Sequence, residues 1–213
     1  MQTSDFRLYL ITDRHQAGGR PLTEVVRRSL EGGVRAVQLR EKDLSSDALY
    51  RLAAELRCLT SEFGARLIIN DRLDIALAVG ADGVHIGVNS LPVAVVRRVM
   101  GEGKIIGYSA HGIDEALRVQ ADGADFITFG PLYPTPSKAA YGDPCGVKKM
   151  ADAASALNIP VIALGGISSA NITEALSAKI QGVAVISAVL SAADPRGAAV
   201  SLLKKIEEYA RHS

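Results

Sequence analysis

The chain has 213 residues, of which 48% are hydrophobic and 22% are charged, so it can bury a substantial core. Its 24 basic and 23 acidic residues leave a net charge of +1, which favours neither nucleic acid nor an anionic membrane as a partner. Two cysteines far apart argue against a disulfide framework, and no apolar run approaches the roughly 18 residues of a membrane span. Because no signal peptide is evident, the sequence predicts a cytoplasmic protein. Whether it is a homo-oligomer stays open.

Short apolar segments recur along the chain, and segments with helical spacing separate them. In chain order, the predicted strands are Leu8–Thr12, Ala36–Leu39, Arg66–Ile69, Gly83–Ile86, Ile105–Tyr108, Asp125–Phe129, Pro160–Leu164 and Gly182–Ile186. The first helical stripe is formed by Leu22, Val25, Val26, Ser29 and Leu30, and the last helix is expected over Pro195–Arg211.

Eight strand–helix units in about 210 residues fit a compact α/β fold, the (β/α)8 TIM barrel. No linker or low-complexity segment divides the chain, so residues 1–213 are predicted to form a single domain. A doubly wound open sheet is the alternative, but it would normally carry a phosphate fingerprint after the first strand. Glycines at the helix-to-strand joints are predicted to take positive φ angles, namely Gly32, Gly33, Gly64, Gly80, Gly101, Gly123 and Gly182.

Polar residues gather where the predicted strands end, which is where barrels of this type place their active sites. The long segment 130–146 follows the sixth strand, and its prolines restrict a loop that presents hydroxyls and a lysine. Together the strand ends offer Gln38, Arg40, Lys42, Asn70, Asp71, Ser109, His111, Thr135, Ser137, Lys138, Gly166, Ile186 and Ser187.

The ends of the seventh and eighth strands give the strongest indication of a phosphate-binding site. They read Gly165-Gly166 and Ile186-Ser187, and loops at these places form the usual phosphate site of the fold. The further cations Arg40, Lys42 and Lys138 suggest a second anion such as a diphosphate, which would bring Mg²⁺. Asp71 is then the natural metal contact, since Mg²⁺ often takes one or two carboxylates plus phosphate oxygens.

Several of these residues also have ordinary structural explanations. Arg40 and Lys42 could pair with Glu41 or Asp43 on the surface. Asp71 could cap the helix that starts near Leu73. His85 lies inside a strand pattern and is predicted to be a core or rim histidine, whereas Tyr133 and Tyr141 could pack the long loop down.

The sequence resembles the thiamine phosphate synthase and thiazole tautomerase superfamily nearly end to end. The segments that carry the resemblance are LYLITD, QLREKD, INDRLDIALAVGADGVHIG, GYSAH, GADFITFGPLYPTPSK, PVIALGGI and GVAVISA. A synthase of this kind joins hydroxymethylpyrimidine diphosphate to hydroxyethylthiazole phosphate and releases pyrophosphate. The resemblance implies that the pyrimidine diphosphate contacts Gln38, Arg40, Lys42, Asn70, Ser109 and Lys138, and that Thr135, Ser137, Gly166, Ile186 and Ser187 hold the thiazole phosphate. It also implies Mg²⁺ at Asp71, and catalysis by Arg40, Lys42, Lys138 and Ser109.

The chain departs from the synthase pattern after the fourth strand. Synthases usually have glutamine and a second metal-binding aspartate there, where this chain has Val88 and Ser90. Loss of the aspartate is more typical of the tautomerase branch, whose proton shift needs one acid–base group, and His111 matches that group. A non-catalytic thiazole phosphate binder is the third alternative. Because the diphosphate-side set is otherwise complete, the synthase is the favoured interpretation.

Overall fold

The computed structural model describes residues 6–135 and 144–212. The strands are β1 Leu8–Ile11, β2 Ala36–Leu39, β3 Arg66–Asn70, β4 Gly83–Ile86, β5 Ile105–Ala110, β6 Phe126–Phe129, β7 Val161–Leu164 and β8 Gly182–Val185. The helices are α1 Leu22–Glu31, α2 Ser46–Glu62, α3 Leu73–Ala78, α4 Val93–Met100, α5 Ile113–Ala121, α6 Gly146–Ala156, α7 Ile172–Leu176, α8 Ser187–Leu190 and α9 Pro195–His212. None of the described helices is long and apolar enough to cross a membrane.

The eight strands pair in parallel, each with its neighbour in the sequence, and the sheet closes on itself. Closure is made by β1 and β8, whose register sets Leu8 opposite Val183 and Leu10 opposite Val185. The predicted (β/α)8 barrel is therefore confirmed. The open doubly wound sheet is wrong, because it would leave β1 and β8 unpaired.

Side chains alternate between two buried layers along each strand, as the two-residue period of a strand requires. Inside the barrel, Phe6, Tyr9 and Phe126 pack with ring centroids 4.7–5.7 Å apart, in tilted or edge-on arrangements. Outward-facing residues such as Leu8 and Leu10 pack against the ring of helices, within the larger of the two clusters. The predicted stripe on α1 is buried throughout, which explains why that helix lies flat against the barrel.

Strand ends differ from the prediction at the residues that matter most for the site. Asn70 is the last residue of β3, and Ser109 lies within β5, where both had been placed in loops. Their backbones are therefore held by ladder hydrogen bonds, so their side chains start from fixed positions at the barrel mouth. Thr12 and Ile186 were predicted to be the last residues of the first and eighth strands, but they lie just beyond β1 and β8.

Gly32 and Gly182 are predicted to take positive φ angles, but in the structure they are glycines because another segment packs closely against them. Gly33, Gly64, Gly80, Gly101 and Gly123 have the predicted positive φ, but Gly32 and Gly182 do not. A Cβ on Gly32 would lie 2.6 Å from the Arg196 carbonyl oxygen on α9, and one on Gly182 would lie 2.1 Å from the Phe6 carbonyl oxygen. Both glycines are needed because another backbone passes close to them.

The N-terminal end of the barrel is tied together by a carboxylate placed just before β4. Asp82 accepts hydrogen bonds from the Leu67 N–H at 2.8 Å, from Arg57 and from Arg66. Burial acts to raise the pKa of the Asp82 carboxyl, but these donors outweigh it and the pKa lies below its ordinary value. Asp82 therefore stabilises this end of the barrel, whereas barrels of this type bind their ligands at the opposite end.

Candidate active site at the carboxyl end of the barrel

A cavity of about 340 Å³ opens between the loops that follow β6, β7 and β8. Its wall includes Thr135, Gly166, Ile186 and Ser187, so four of the five residues predicted to hold a phosphate come together there. Ser187 is the first residue of α8, and its N–H has no acceptor within that helix. Gln16, from the single 3-10 turn after β1, also lines the cavity and was missed in the sequence because no motif surrounds it.

Gly166 has a positive φ of 67° and lies in close contact with the β6 loop. A Cβ added there would be 2.8 Å from Tyr133 Cβ and 2.9 Å from the Pro134 carbonyl oxygen. The Tyr133 hydroxyl donates to Glu174 on α7 at 2.9 Å, and burial together with that carboxylate raises the pKa of Tyr133 to about 12. Tyr133 does pack the loop down as expected, and Gly166 is required for the loops to meet.

A second cavity, of about 130 Å³, lies where β2, β3, β4 and β5 end. Its walls bring together the predicted residues Arg40, Lys42, Asn70, Asp71, Ser109 and His111, along with Ser90. Among the described residues, neither Arg40 nor Lys42 forms an ion pair with a carboxylate. This second cavity therefore offers two uncompensated cations beside one acid, which suits a polyanion.

Glu41 does not neutralise the two cations that flank it, so the surface pairing considered from the sequence is wrong. Its carboxylate is buried and accepts hydrogen bonds from the Thr12 hydroxyl at 2.7 Å and from the Arg14 N–H and guanidinium at 3.1 Å. Asp43 also pairs with Arg14. The Thr12 hydroxyl in turn accepts the Arg40 N–H at 2.9 Å, so the network fixes the backbone that carries Arg40.

Asp71 does not cap α3, which was its structural alternative. The residue has a φ of 59°, and its carboxylate accepts hydrogen bonds from Asn70 Nδ2 at 2.8 Å and from the Ser90 hydroxyl. The α3 N-cap is Arg72, with no side-chain cap. Ser90 is therefore adjacent to Asp71, as expected for a residue that replaces a second metal-binding acid.

The side chains around Asp71 are those that could hold a magnesium ion. Among the described residues there is no cluster of three or more His, Cys, Asp or Glu side chains that could hold a metal. Asp71, Ser90 and Asn70 nevertheless provide one carboxylate with neutral oxygens. Mg²⁺ accepts such a set when substrate phosphates supply further oxygens.

Gln38 lies deeper than its neighbours Arg40 and Lys42. Its side chain is buried inside the barrel and donates to the Tyr9 hydroxyl at 2.9 Å, so it does not lie at the mouth with the other predicted strand-end residues. His85 is buried as predicted, and its Nε2 lies 3.0 Å from Ser109 Oγ. Burial, with a smaller contribution from the charge of Arg40, lowers the pKa of His85 to about 3.

His111 is exposed at the edge of the second cavity. Its Nδ1 lies 3.2 Å from the Gly130 carbonyl oxygen, and its backbone N–H donates to Glu115 at 2.9 Å. The other Glu115 oxygen accepts a hydrogen bond from the Tyr108 hydroxyl. Burial and this hydrogen bond to a carboxylate raise the pKa of Tyr108 to about 12. These contacts hold the ring beside the cationic wall. The predicted residues Ser137, Lys138 and Tyr141 lie outside the described residues.

The protein has a closed barrel with one cavity on the β7 and β8 loops and a second, cation-lined cavity where β2 to β5 end. These features place it in the class of (β/α)8 proteins that have a polar mouth at the carboxyl ends of the strands. Within that class, the chain belongs to the thiamine monophosphate synthase family, whose model matches residues 8–189.

Individual relatives agree with this assignment. A protein of Geobacter sulfurreducens is 60% identical over 203 residues, which is 95% of each chain. The thiamine-phosphate synthase of Desulfitobacterium hafniense is 44% identical over 93% of this chain and 96% of its own. The solved structure of thiamine phosphate pyrophosphorylase from Pyrococcus furiosus superposes with a TM-score of 0.91 at 37% identity, covering 98% of this chain and 99% of that one.

Proposed function

We propose that this protein is a thiamine-phosphate synthase, a transferase that joins hydroxymethylpyrimidine diphosphate to hydroxyethylthiazole phosphate and releases pyrophosphate. One structural observation supports the proposal. Arg40 and Lys42 meet Asp71 at one cavity and are not neutralised by any carboxylate of the described chain. A magnesium diphosphate is the ligand that such a set of charges recognises best.

Catalysis would rest on stabilising the leaving group. The bond from the pyrimidine methylene carbon to the diphosphate oxygen breaks first, and both its electrons leave with pyrophosphate. The thiazole nitrogen then bonds to the carbocation. Arg40 and Lys42 would face the charge that develops on the diphosphate. Lys138, which lies outside the described residues, is predicted to act with them. Donors placed in advance in this way are worth about 3 kcal/mol each.

The other site residues would bind and orient the two substrates. Thr135, Gly166 and Ser187 surround the larger cavity, which suits the thiazole phosphate, and Ser137 and Ile186 complete the predicted set. On the pyrimidine side, Asn70 and Ser109 line the smaller cavity, while Gln38, the other predicted contact, is bonded to Tyr9 inside the barrel. Holding the nucleophile and the carbocation in adjacent cavities removes much of the entropic cost of their encounter.

Asp71 would hold Mg²⁺, with Ser90 as a neutral neighbour. When bound, the ion would offset charge on the diphosphate that the protein cations do not reach. The residues present supply a single carboxylate for this purpose, so the ion should bind more weakly than in a site with two.

The second candidate is a thiazole tautomerase, and two observations favour it. Ser90 stands where a second acid would be, and His111 lines the same cavity. An imidazole at that edge could move a proton on a thiazole carboxylate phosphate without a metal. The tautomerase is the weaker proposal because it leaves Arg40 and Lys42 without a ligand.

Pyrophosphate release by the purified protein tests the proposal. Pyrimidine diphosphate and thiazole phosphate are supplied together, each is omitted in turn, and Mg²⁺ is replaced by EDTA in a matched series. Magnesium-dependent release that requires both substrates supports the synthase. Absence of release, with thiazole phosphate still bound and the thiazole carboxylate phosphate isomerised, would transfer the assignment to the tautomerase.

We also propose that residues 1–213 form one domain and that the protein works in the cytoplasm on small phosphorylated molecules. The first point is supported by α9, which packs against α1 and returns the chain to the start of the barrel. The small phosphorylated substrates are supported by the cavity that Arg40 and Lys42 line.

A further inference from the structure

A histidine and two hydroxyls form a polar cluster inside the barrel, beneath the second cavity. His85 on β4, Ser109 on β5 and Thr128 on β6 lie on three adjacent strands. His85 Nε2 is 3.0 Å from Ser109 Oγ and 3.3 Å from Thr128 Oγ1, and the two hydroxyl oxygens are 3.2 Å apart. His85 and Thr128 are each 2% exposed, whereas Ser109 is half-buried and lines the cavity.

The His85 imidazole is buried inside the barrel, and burial favours the neutral ring because a charge there would lose its hydration. Burial and, to a smaller degree, the charge of Arg40 also lower the pKa of His85 to about 3. One ring nitrogen therefore carries a proton and the other presents a lone pair. The surroundings of the two nitrogens decide which is which.

Nδ1 of His85 has no hydrogen-bond partner in the described chain, and it is completely buried. It faces β5 at Gly107, where an added Cβ would lie 2.5 Å from Nδ1 and 2.4 Å from Phe126 Cζ. That space is too small and too apolar to hold a water molecule. A proton on Nδ1 would be a buried donor without an acceptor, even though Nε2 could then accept from a hydroxyl. A proton on Nε2 leaves only a lone pair of Nδ1 unpaired, and an unpaired buried acceptor is tolerated better than an unpaired buried N–H. The proton therefore belongs on Nε2.

The proton on Nε2 sets the direction of both hydroxyl groups. Ser109 Oγ is the nearer acceptor for the Nε2–H. Thr128 is buried, and with Nε2 now a donor, Ser109 Oγ is the acceptor left within reach of its hydroxyl among the described residues. Ser109 thus accepts two hydrogen bonds from within the barrel. Its own proton is left to point outward, into the cavity.

From this geometry we propose that His85 is a positioning residue which, through its Nε2–H and with Thr128, makes Ser109 an obligatory hydrogen-bond donor to the ligand. Ser109 would then offer this cavity a donor, as Arg40 and Lys42 do, since neither cation has an acceptor. Its ligand must offer an acceptor oxygen there, as a diphosphate does. The proposal deepens the synthase assignment and rests on it for the identity of that ligand.

Nuclear magnetic resonance tests the tautomer without any substrate. Protein labelled with ¹⁵N at histidine is examined by long-range ¹H–¹⁵N correlation, and His85 is assigned by the signals that disappear in His85→Gln. We expect a neutral ring protonated at Nε2. A ring protonated at Nδ1, or a charged one, overturns the proposal whatever reaction the enzyme catalyses.

Kinetics of two matched variants test the role. The His85→Gln side chain can place an amide N–H near the Nε2 position, whereas His85→Asn reaches only as far as Nδ1. We expect kcat/KM for pyrophosphate release to fall about ten-fold in His85→Asn and to be largely restored in His85→Gln. Equal losses in the two variants, measured on protein with matched melting temperatures, would overturn the proposal.

A double-mutant cycle separates positioning from a structural role. If His85 acts through Ser109, His85→Asn should cost little further activity in a Ser109→Ala background. A purely structural role predicts the same ten-fold loss in both backgrounds, and that result would refute the proposal. If the wild-type protein releases no pyrophosphate at all, the synthase assignment fails, and the resonance experiment still decides the tautomer.

Discussion

Ser90→Asp would restore a second carboxylate beside Asp71, and its effect can be worked out from the contacts of Ser90. The hydroxyl donates to Asp71 and accepts the Gly87 N–H at 2.8 Å, so a carboxylate at this position would stand about 4 Å from that of Asp71. Two charges at that distance repel by about 1 kcal/mol in water and by about 4 kcal/mol near a protein surface. Because Asp71 is exposed, we expect a value toward the lower end.

Magnesium reverses the sign of this effect, since the ion is attracted by both carboxylates. Without metal, Ser90→Asp should lower the melting temperature by about 2–4 °C, the shift that 1 kcal/mol gives in a chain of this size. With metal, the Mg²⁺ concentration for half-maximal pyrophosphate release should fall about ten-fold, as 1.4 kcal/mol of added attraction implies.

The control for this experiment is Ser90→Asn, which has a similar shape without the charge. Melting curves and pyrophosphate release are measured for wild type and both variants across a magnesium series at constant ionic strength. The same magnesium midpoint in Ser90→Asp and Ser90→Asn would refute the placement of the metal beside Asp71. It would leave the fold and the cationic cavity unaffected.

Three further predictions concern different parts of the molecule. The pKa of Asp82 is lower in the folded protein than in the unfolded chain, so its contribution to stability is present above about pH 4 and is lost as the pH falls through the folded pKa. Asp82→Asn should therefore lower the free energy of unfolding by about 1–3 kcal/mol at pH 7 and by much less at about pH 3. Urea denaturation at the two pH values measures this difference. Gly166→Ala should raise the KM for thiazole phosphate, whereas Gly64→Ala, with a similar φ but open space around it, should change only stability; equal KM values would contradict the assigned cavity. In a synthase, His111→Ala should reduce pyrophosphate release far less than Asp71→Ala does. A tautomerase would release no pyrophosphate, and there His111→Ala should nearly abolish isomerisation of the thiazole carboxylate phosphate while Asp71→Ala leaves it largely intact.

The sequence predicted the fold because each strand–helix unit carries its own local signals. The apolar period, the glycine joints and the strand length all follow from interactions within a few residues. The strand–helix alternation repeats eight times, and glycines mark six of the joints. The cavity on the β7 and β8 loops was predicted for the same reason, since Gly165-Gly166 and Ile186-Ser187 sit directly at strand ends. Local signals did not predict where the strands end. Asn70 and Ser109 belong to the sheet because their backbones hydrogen-bond to a neighbouring strand, and that pairing is not visible in the local sequence.

The partners of the charged and polar side chains could not be predicted in this way. The nearest cations to Glu41 in the sequence are Arg40 and Lys42, yet Glu41 binds Thr12, 29 residues away, because parallel strands β1 and β2 end side by side. No motif marks Thr128, which contacts His85 across 43 residues because both point into the barrel. A single sequence shows which residues stand at strand ends, but it does not show which of them touch.

By itself, the sequence determined the closed barrel, the end that carries the site, and most of the residues that stand there, because these depend on periodicity and position along each strand. Only the tertiary structure decided that Gln38 is buried against Tyr9, that Glu41 leaves Arg40 and Lys42 uncompensated, and that Ser90 contacts Asp71. Such pairings depend on the register between strands far apart in the chain. That register is fixed when the barrel closes and all eight strands must pack around one core.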